Sequence, residues 1–104
     1  MGKNRDSLQI IADILSSINS GANKTKIMFS ANLSFKLLEK YLATVIDSGL
    51  VQMDGALYKL TKEGQEFVKK YYNYQERSIS ANKLLASLDF ERKNLCVLYE
   101  SNIQ

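Results

Sequence analysis

Residues 24–40 collect the groups of this chain best suited to holding an anion. Lys24 and Lys26 stand two apart. Ser30, Asn32 and Ser34 follow as short hydrogen-bond donors, and Lys36 and Lys40 recur four apart beside Phe35 and Glu39. Ammonium groups, hydroxyls and amides bind phosphate oxygens without reading base sequence. Lysine also bonds guanine O6 or N7, glutamate accepts from cytosine N4, and a phenyl ring such as Phe35 meets a thymine methyl or a sugar. A plainer reading stands beside each. Lys36, Glu39 and Lys40 are what any solvated helix face shows. Lys24 and Lys26 serve equally as surface charge, Phe35 as a core edge, and Asn32 as a helix cap.

Other chemistries lack their residues. There is no histidine and only one cysteine, Cys96. A disulfide within the chain, a Cys/His zinc site and histidine-based acid–base or nucleophilic catalysis therefore have no ligand or residue set. The carboxylates are scattered and no Gly-rich phosphate loop occurs. The expectation is a non-enzyme with no cofactor and no metal. Cys96 reads as a small apolar residue, with an intersubunit disulfide or redox switch as the alternative. Fourteen Lys and Arg against 11 Asp and Glu leave a net charge of +3, informative only if the charge is clustered. At 104 residues the chain forms one domain with a modest core. No apolar run approaches the roughly 20 residues of a membrane helix. The start MGKNRDSL has no signal-peptide apolar region, and Asp6 stands where an acylation motif needs Ser or Thr. A cytoplasmic protein with no membrane partner is expected.

The elements that must position the anion-binding groups are legible in the periodicity. Asp6 and Gln9 form a capping box ahead of a helix whose apolar face is Leu8, Ile10, Ile11, Ile14, Leu15 and Ile18, closed by Asn19-Ser20-Gly21. A short second helix, 23–29, is capped by Asn23 or Thr25 and turns Ile27 and Met28 inward. Asn32 or Ser34 caps a third helix. Its buried stripe is read as Leu37, Leu38, Tyr41, Leu42, Val45 and Ile46, with Ser34, Lys36, Glu39, Lys40, Ala43 and Asp47 on the other side. Ser48-Gly49 closes it with glycine in the left-handed position. Then 50-LVQMDGALYKL-60 reads as a hairpin turning at Asp54-Gly55, with Val51, Met53, Ala56, Tyr58 and Leu60 on one face and Leu50, Gln52, Leu57 and Lys59 on the other. Thr61 caps a final helical stretch. Two helices joined by a tight turn and followed by a two-stranded hairpin make a winged helix-turn-helix.

The strings KTKIMFSANLS, YLATVIDSGLV and YKLTKEGQEFVKKY resemble the small archaeal winged-helix DNA-binding proteins. The resemblance covers about residues 5 to 74. Leu60-Thr61-Lys62-Glu63-Gly64, followed by Phe67 and Tyr71, fits that family's junction between wing and C-terminal helix. The resemblance implies that the helix from about Ser34 to Ser48 is the recognition helix and that Lys24 and Lys26 open the preceding helix beside a phosphate strand. It implies that the hairpin with Asp54, Gly55 and Lys59 is the wing. In that family a long C-terminal helix forms an antiparallel coiled-coil dimer, and members act as chromatin-associated proteins or transcriptional regulators. Glu39 on the recognition helix and a charge of only +3 depart from a protein that coats DNA densely and favour a regulator.

From Lys62 onward an imperfect 3-4 stripe runs through Tyr71, Tyr74, Leu85, Leu88, Leu95 and Tyr99, with Leu84 beside it. Asn73, Ser78, Ser80 and Asn82 leave room for a break near Ser78. A single helix of about 40 residues is about 60 Å long, too long to bury its stripe within 104 residues. A homodimer through this segment is therefore expected, in an arrangement the residues leave open. The aromatic group Tyr71-Tyr72-Asn73-Tyr74 is read as packing rather than base stacking, and Lys69-Lys70 as a solvated face. The expected organisation is a winged helix-turn-helix domain over residues 1–61 and a helical dimerisation segment over residues 62–104. The expected function is sequence-specific binding of double-stranded DNA in transcriptional regulation. The alternatives are an architectural chromatin protein and a winged-helix protein-interaction adaptor.

Overall fold

The computed structural model describes residues 5–103. It orders them as α1 (Ser7–Ile18), α2 (Lys24–Ser30), α3 (Phe35–Asp47), β1 (Val51–Asp54), β2 (Leu57–Leu60) and α4 (Lys62–Ser101). This is the mainly helical winged architecture expected. Each of the first three helix starts has a side-chain cap. The Asp6 carboxylate accepts from the Gln9 amide at 2.8 Å while the Gln9 side chain accepts from the Asp6 amide at 3.1 Å. Asn23 accepts from the Lys26 amide at 2.8 Å and Ser34 from the Leu37 amide at 3.2 Å. Such caps contribute about 1 kcal/mol each, which matters most for α2, whose seven residues cannot hold a helix alone.

The core lies between α1, α2 and α3. Ile14, Leu15 and Ile18 of α1, Ile27 of α2, and Leu38 and Val45 of α3 are fully buried, each contributing about 1.5–3 kcal/mol by leaving water. Val51 joins them from β1, and Phe67 and Val68 pack against the cluster from the first turns of α4. The stripe of α3 is narrower than its periodicity suggests. Leu38, Leu42 and Val45 are buried, whereas Leu37 and Ile46 are 40% and 38% exposed. At about 100° per residue, those two sit on opposite flanks of the buried line.

The turn between α2 and α3 is a complete Schellman motif. The Leu33 amide donates to the Met28 carbonyl at 3.1 Å and the Asn32 amide to the Phe29 carbonyl at 3.2 Å. Asn32 holds φ +54°, a left-handed conformation that asparagine tolerates better than most residues. Asn32 therefore ends α2 and does not start α3; Ser34 alone caps α3. The turn is also held from outside. The Arg5 guanidinium bonds Asp13 at 2.6 Å, the Ala31 carbonyl at 2.8 Å and the Asn32 carbonyl at 2.8 Å. It thereby ties two of the carbonyls left over at the end of α2 to α1. Nothing in the local sequence around Arg5 signals this role.

The hairpin differs from expectation by one residue. β1 and β2 pair antiparallel with Val51 opposite Leu60, Gln52 opposite Lys59, Met53 opposite Tyr58 and Asp54 opposite Leu57. The two loop residues are thus Gly55-Ala56, not Asp54-Gly55. Gly55 at φ +64° is the first central residue, where a type II′ turn requires glycine. The faces survive because each pairing moves by two residues, and side chains alternate with a period of two. Val51, Met53, Tyr58 and Leu60 still share one face, but Ala56 leaves it for the loop. A further bridge has no signal in the sequence. Ala22, between α1 and α2, exchanges both backbone hydrogen bonds with Tyr58, at 3.1 and 2.8 Å, and anchors the wing to the helical core.

The chain divides into two compact units, one ending at Tyr71 and the other beginning at Tyr72. The start of α4 belongs to the first because Phe67 and Val68 contribute to its core. Thr61 makes that junction: its hydroxyl donates to the Gly49 carbonyl at 2.6 Å and accepts from the Gly64 amide at 3.0 Å. α4 runs unbroken through Ser78, so Asn73, Ser78, Ser80 and Asn82 lower helix propensity without interrupting it. In the second unit, Leu84, Leu85, Leu88, Leu95 and Tyr99 are each half exposed or more. Cys96 is half-buried. Among the described residues no helix is long and apolar enough to cross a membrane.

Candidate nucleic-acid interface

The buried stripe of α3 fixes what its outer face must be. Taking the line through Leu38, Leu42 and Val45 as inward, Lys36, Lys40, Ala43 and Asp47 fall on the opposite line at about 100° per residue. All four are exposed. Phe35 and Glu39 lie on the flank toward α2, and both are exposed, Phe35 at 58%. The phenyl ring is therefore no core edge. Ser34, at the N-cap, is exposed with its hydroxyl already accepting from Leu37, so it retains a proton to donate. The first turn of α3 presents free amides and partial positive charge beside it.

α2 brings its own charges to this flank. The Lys24 ammonium lies 2.6 Å from a Glu39 carboxylate oxygen and 5.5 Å from the centroid of the Phe35 ring. The hydrogen bond to Glu39 is the main cause raising the Lys24 pKa above its ordinary value. A raised lysine contributes its stabilisation fully below the unfolded value and loses it as pH rises through the folded one, so the pair is intact at neutral pH. Lys26, Ser30 and Asn32 are exposed. The Asn32 carbonyl is occupied by Arg5. Lys40 lies 5.4 Å from the ring centroid of Tyr41. Among the described residues, Lys26, Lys36 and Lys40 form no ion pair, which leaves their charge available to an anion.

The wing is less basic than α3. Lys59 is bound to Asp54 at 2.8 Å, and this bond is the main cause lowering the Asp54 pKa. A depressed carboxylate stabilises above its unfolded value and loses that contribution as pH falls through the folded one. Gly55 and the exposed Met53 and Leu57 complete the tip. The structure thus brings Lys24, Phe35 and Glu39 together. It leaves Lys26, Lys36 and Lys40 as open cations and pairs the two charged wing residues with each other. Phe29, 75% exposed at the end of α2, was missed by sequence reasoning, which placed Ile27 and Met28 inward and assigned their neighbour no role.

A family model described as winged helix-turn-helix matches residues 4–78. The uncharacterized protein MJ0290 of Methanocaldococcus jannaschii is 34% identical over 67 residues, 64% of this chain and 32% of that protein. This chain therefore spans about a third of that relative's length. The uncharacterized protein MJ0287 of the same organism is 30% identical over 73 residues, 69% of this chain and 75% of that protein. Among solved structures, Sso10a-2, a DNA-binding protein from Sulfolobus solfataricus, matches with a TM-score of 0.64 and 20% identity over 81% of this chain and 96% of that one. At that identity the likeness concerns the fold.

Proposed function

The chain belongs to the winged helix-turn-helix family, and from that membership we propose that it binds double-stranded DNA as a homodimer and regulates transcription at specific sites. The observation that carries the reading is the outer line of α3, where Lys36 and Lys40 stand exposed and, among the described residues, without an ion-pair partner opposite the core. Lys26, exposed on α2, and the capped amide end of α3 belong to the same helix-turn-helix. The DNA-binding character of Sso10a-2, which shares this fold, supports it. In this reading α3 enters the major groove. Lys26, Ser30 and Ser34 meet phosphate, Lys36 and Lys40 meet base edges or phosphate, and the hairpin touches the neighbouring backbone. The chemistry requires neither cofactor nor catalysis. Each phosphate contact releases counterions, so log K falls with log[salt] with a slope of about −0.9 per contact. Fluorescence anisotropy of a labelled duplex over a salt series should show that decline; a flat dependence contradicts phosphate binding. Selection from random duplexes should enrich a two-fold site, and no enrichment would point to an architectural role.

Dimerisation through α4 is part of the proposal. The second unit is a helix with Leu84, Leu85, Leu88, Leu95 and Tyr99 in water. A second copy of the same helix supplies the matching apolar face, and residues 62–104 serve as the dimerisation segment. Leu88→Asp together with Leu95→Asp should convert a dimer in sedimentation equilibrium into a monomer. A monomeric wild-type protein at micromolar concentration would refute the pairing. The exposed Phe29 and Phe35 favour a second reading, in which the helix-turn-helix docks a protein; tight duplex binding that depends on Lys36 and Lys40 decides against it.

A further inference from the structure

We infer that Lys24 governs base preference by positioning Glu39, and is not itself a phosphate contact. The inference rests on the DNA-binding reading above. Lys24 is the first residue of α2 and Glu39 stands one turn into α3 from Phe35, so the pair bridges the two helices that form the reading head. The Lys24 ammonium is fixed on two sides, 2.6 Å from Glu39 Oε2 and 5.5 Å from the Phe35 ring centroid. A cation held this way is a poor free counterion for phosphate, whereas Lys26, Lys36 and Lys40 are open.

The pairing also resolves a conflict on this surface. An unpaired carboxylate on a DNA-facing helix is repelled by the polyanion. With Lys24 against it the local charge is cancelled, yet only one carboxylate oxygen is used. Among the described residues no donor meets the other, which stays an acceptor. A carboxylate acceptor on the groove-facing helix selects the cytosine N4 amino group. An exposed ion pair of this kind contributes little to stability. Two kinds of lysine result: Lys26, Lys36 and Lys40 are open to direct contact with DNA, and Lys24 sets which base Glu39 accepts.

The test is a double-mutant cycle on the full chain with Lys24→Met, Glu39→Gln and both together. It is read by base preference in duplex selection and by anisotropy across a salt series. Wild type should select cytosine at one position per half-site. Glu39→Gln should shift that preference toward adenine, which glutamine bonds through N6 and N7. Lys24→Met should weaken the cytosine preference about fivefold or more without making the salt slope shallower. In the Glu39→Gln background it should change nothing further. If Lys24→Met instead lowers the slope magnitude by about 0.9 in both backgrounds and leaves base preference intact, Lys24 is a phosphate contact and the inference is wrong. If wild type binds duplex but selects no base, the inference fails and DNA binding stands. If wild type retains no duplex, both readings fall together.

Discussion

Gly64→Ala is expected to destabilise the first unit by about 1–3 kcal/mol, even though alanine is the better helix former. A Cβ built on Gly64 would lie 2.1 Å from the Leu50 carbonyl oxygen, far inside contact distance. Leu50 cannot step aside cheaply. Its carbonyl accepts from the Thr61 amide at 3.0 Å and its amide donates to the Val45 carbonyl at 3.0 Å, closing the end of α3. Thr61 in turn holds the Gly49 carbonyl and the Gly64 amide. Relief of the clash must therefore displace the start of α4 and disturb the cap. Propensity favours alanine by about 1 kcal/mol, while overpacking costs typically about 1–3 kcal/mol and disruption of the cap about 1 more. The clash wins. Against a total stability of about 5–15 kcal/mol, the effect is large for so small a core. Urea unfolding followed by tyrosine fluorescence, or hydrogen exchange of the α1 and α3 amides, measures it. A midpoint equal to or above wild type would show that the junction yields and that the close approach has no consequence.

Lys36→Ala combined with Lys40→Ala should weaken duplex binding by about two orders of magnitude, at about 1–3 kcal/mol for each lysine–base interaction removed, with the thermal midpoint nearly unchanged. Both side chains are exposed on the outer line of α3, so the core is untouched, and alanine suits a helix. Affinity measured at moderate fixed salt is the readout, with circular dichroism to confirm the fold. Retention of affinity within about threefold would move the interface elsewhere on the molecule. The substitution differs from Lys24→Met in kind, because Lys24 is already neutralised by Glu39.

Local signals carried much of this architecture. The Asp6–Gln9 box, the Asn23 and Ser34 caps and Thr61 each occur within four residues of what they bind at a helix start, and a spacing that short is visible in the chain. The outward placement of Lys36 and Lys40 follows from where Leu38, Leu42 and Val45 must go. The hairpin faces also survived an error in the turn, because period-two alternation is indifferent to a two-residue change in pairing. Where two local solutions were nearly equal, reading the residues failed or stayed open. Asn32 suits a helix start or a left-handed helix end, and the partly exposed Leu37 and Ile46 are apolar like their buried neighbours.

The sequence alone therefore determined which segments are helices and hairpin, the short set of residues from which their caps are drawn, and which face of α3 carries lysine, since all of these depend on periodicity and on neighbours a few residues away. Only the tertiary structure decided that Arg5 secures the α2–α3 turn across 26 and 27 residues, that Ala22 pairs with Tyr58, that Gly64 must lack a side chain, and that Lys24 belongs to Glu39. Each of these joins groups far apart in the chain, and their meeting is set by how the packed helices place them, a distance that no one-dimensional spacing encodes.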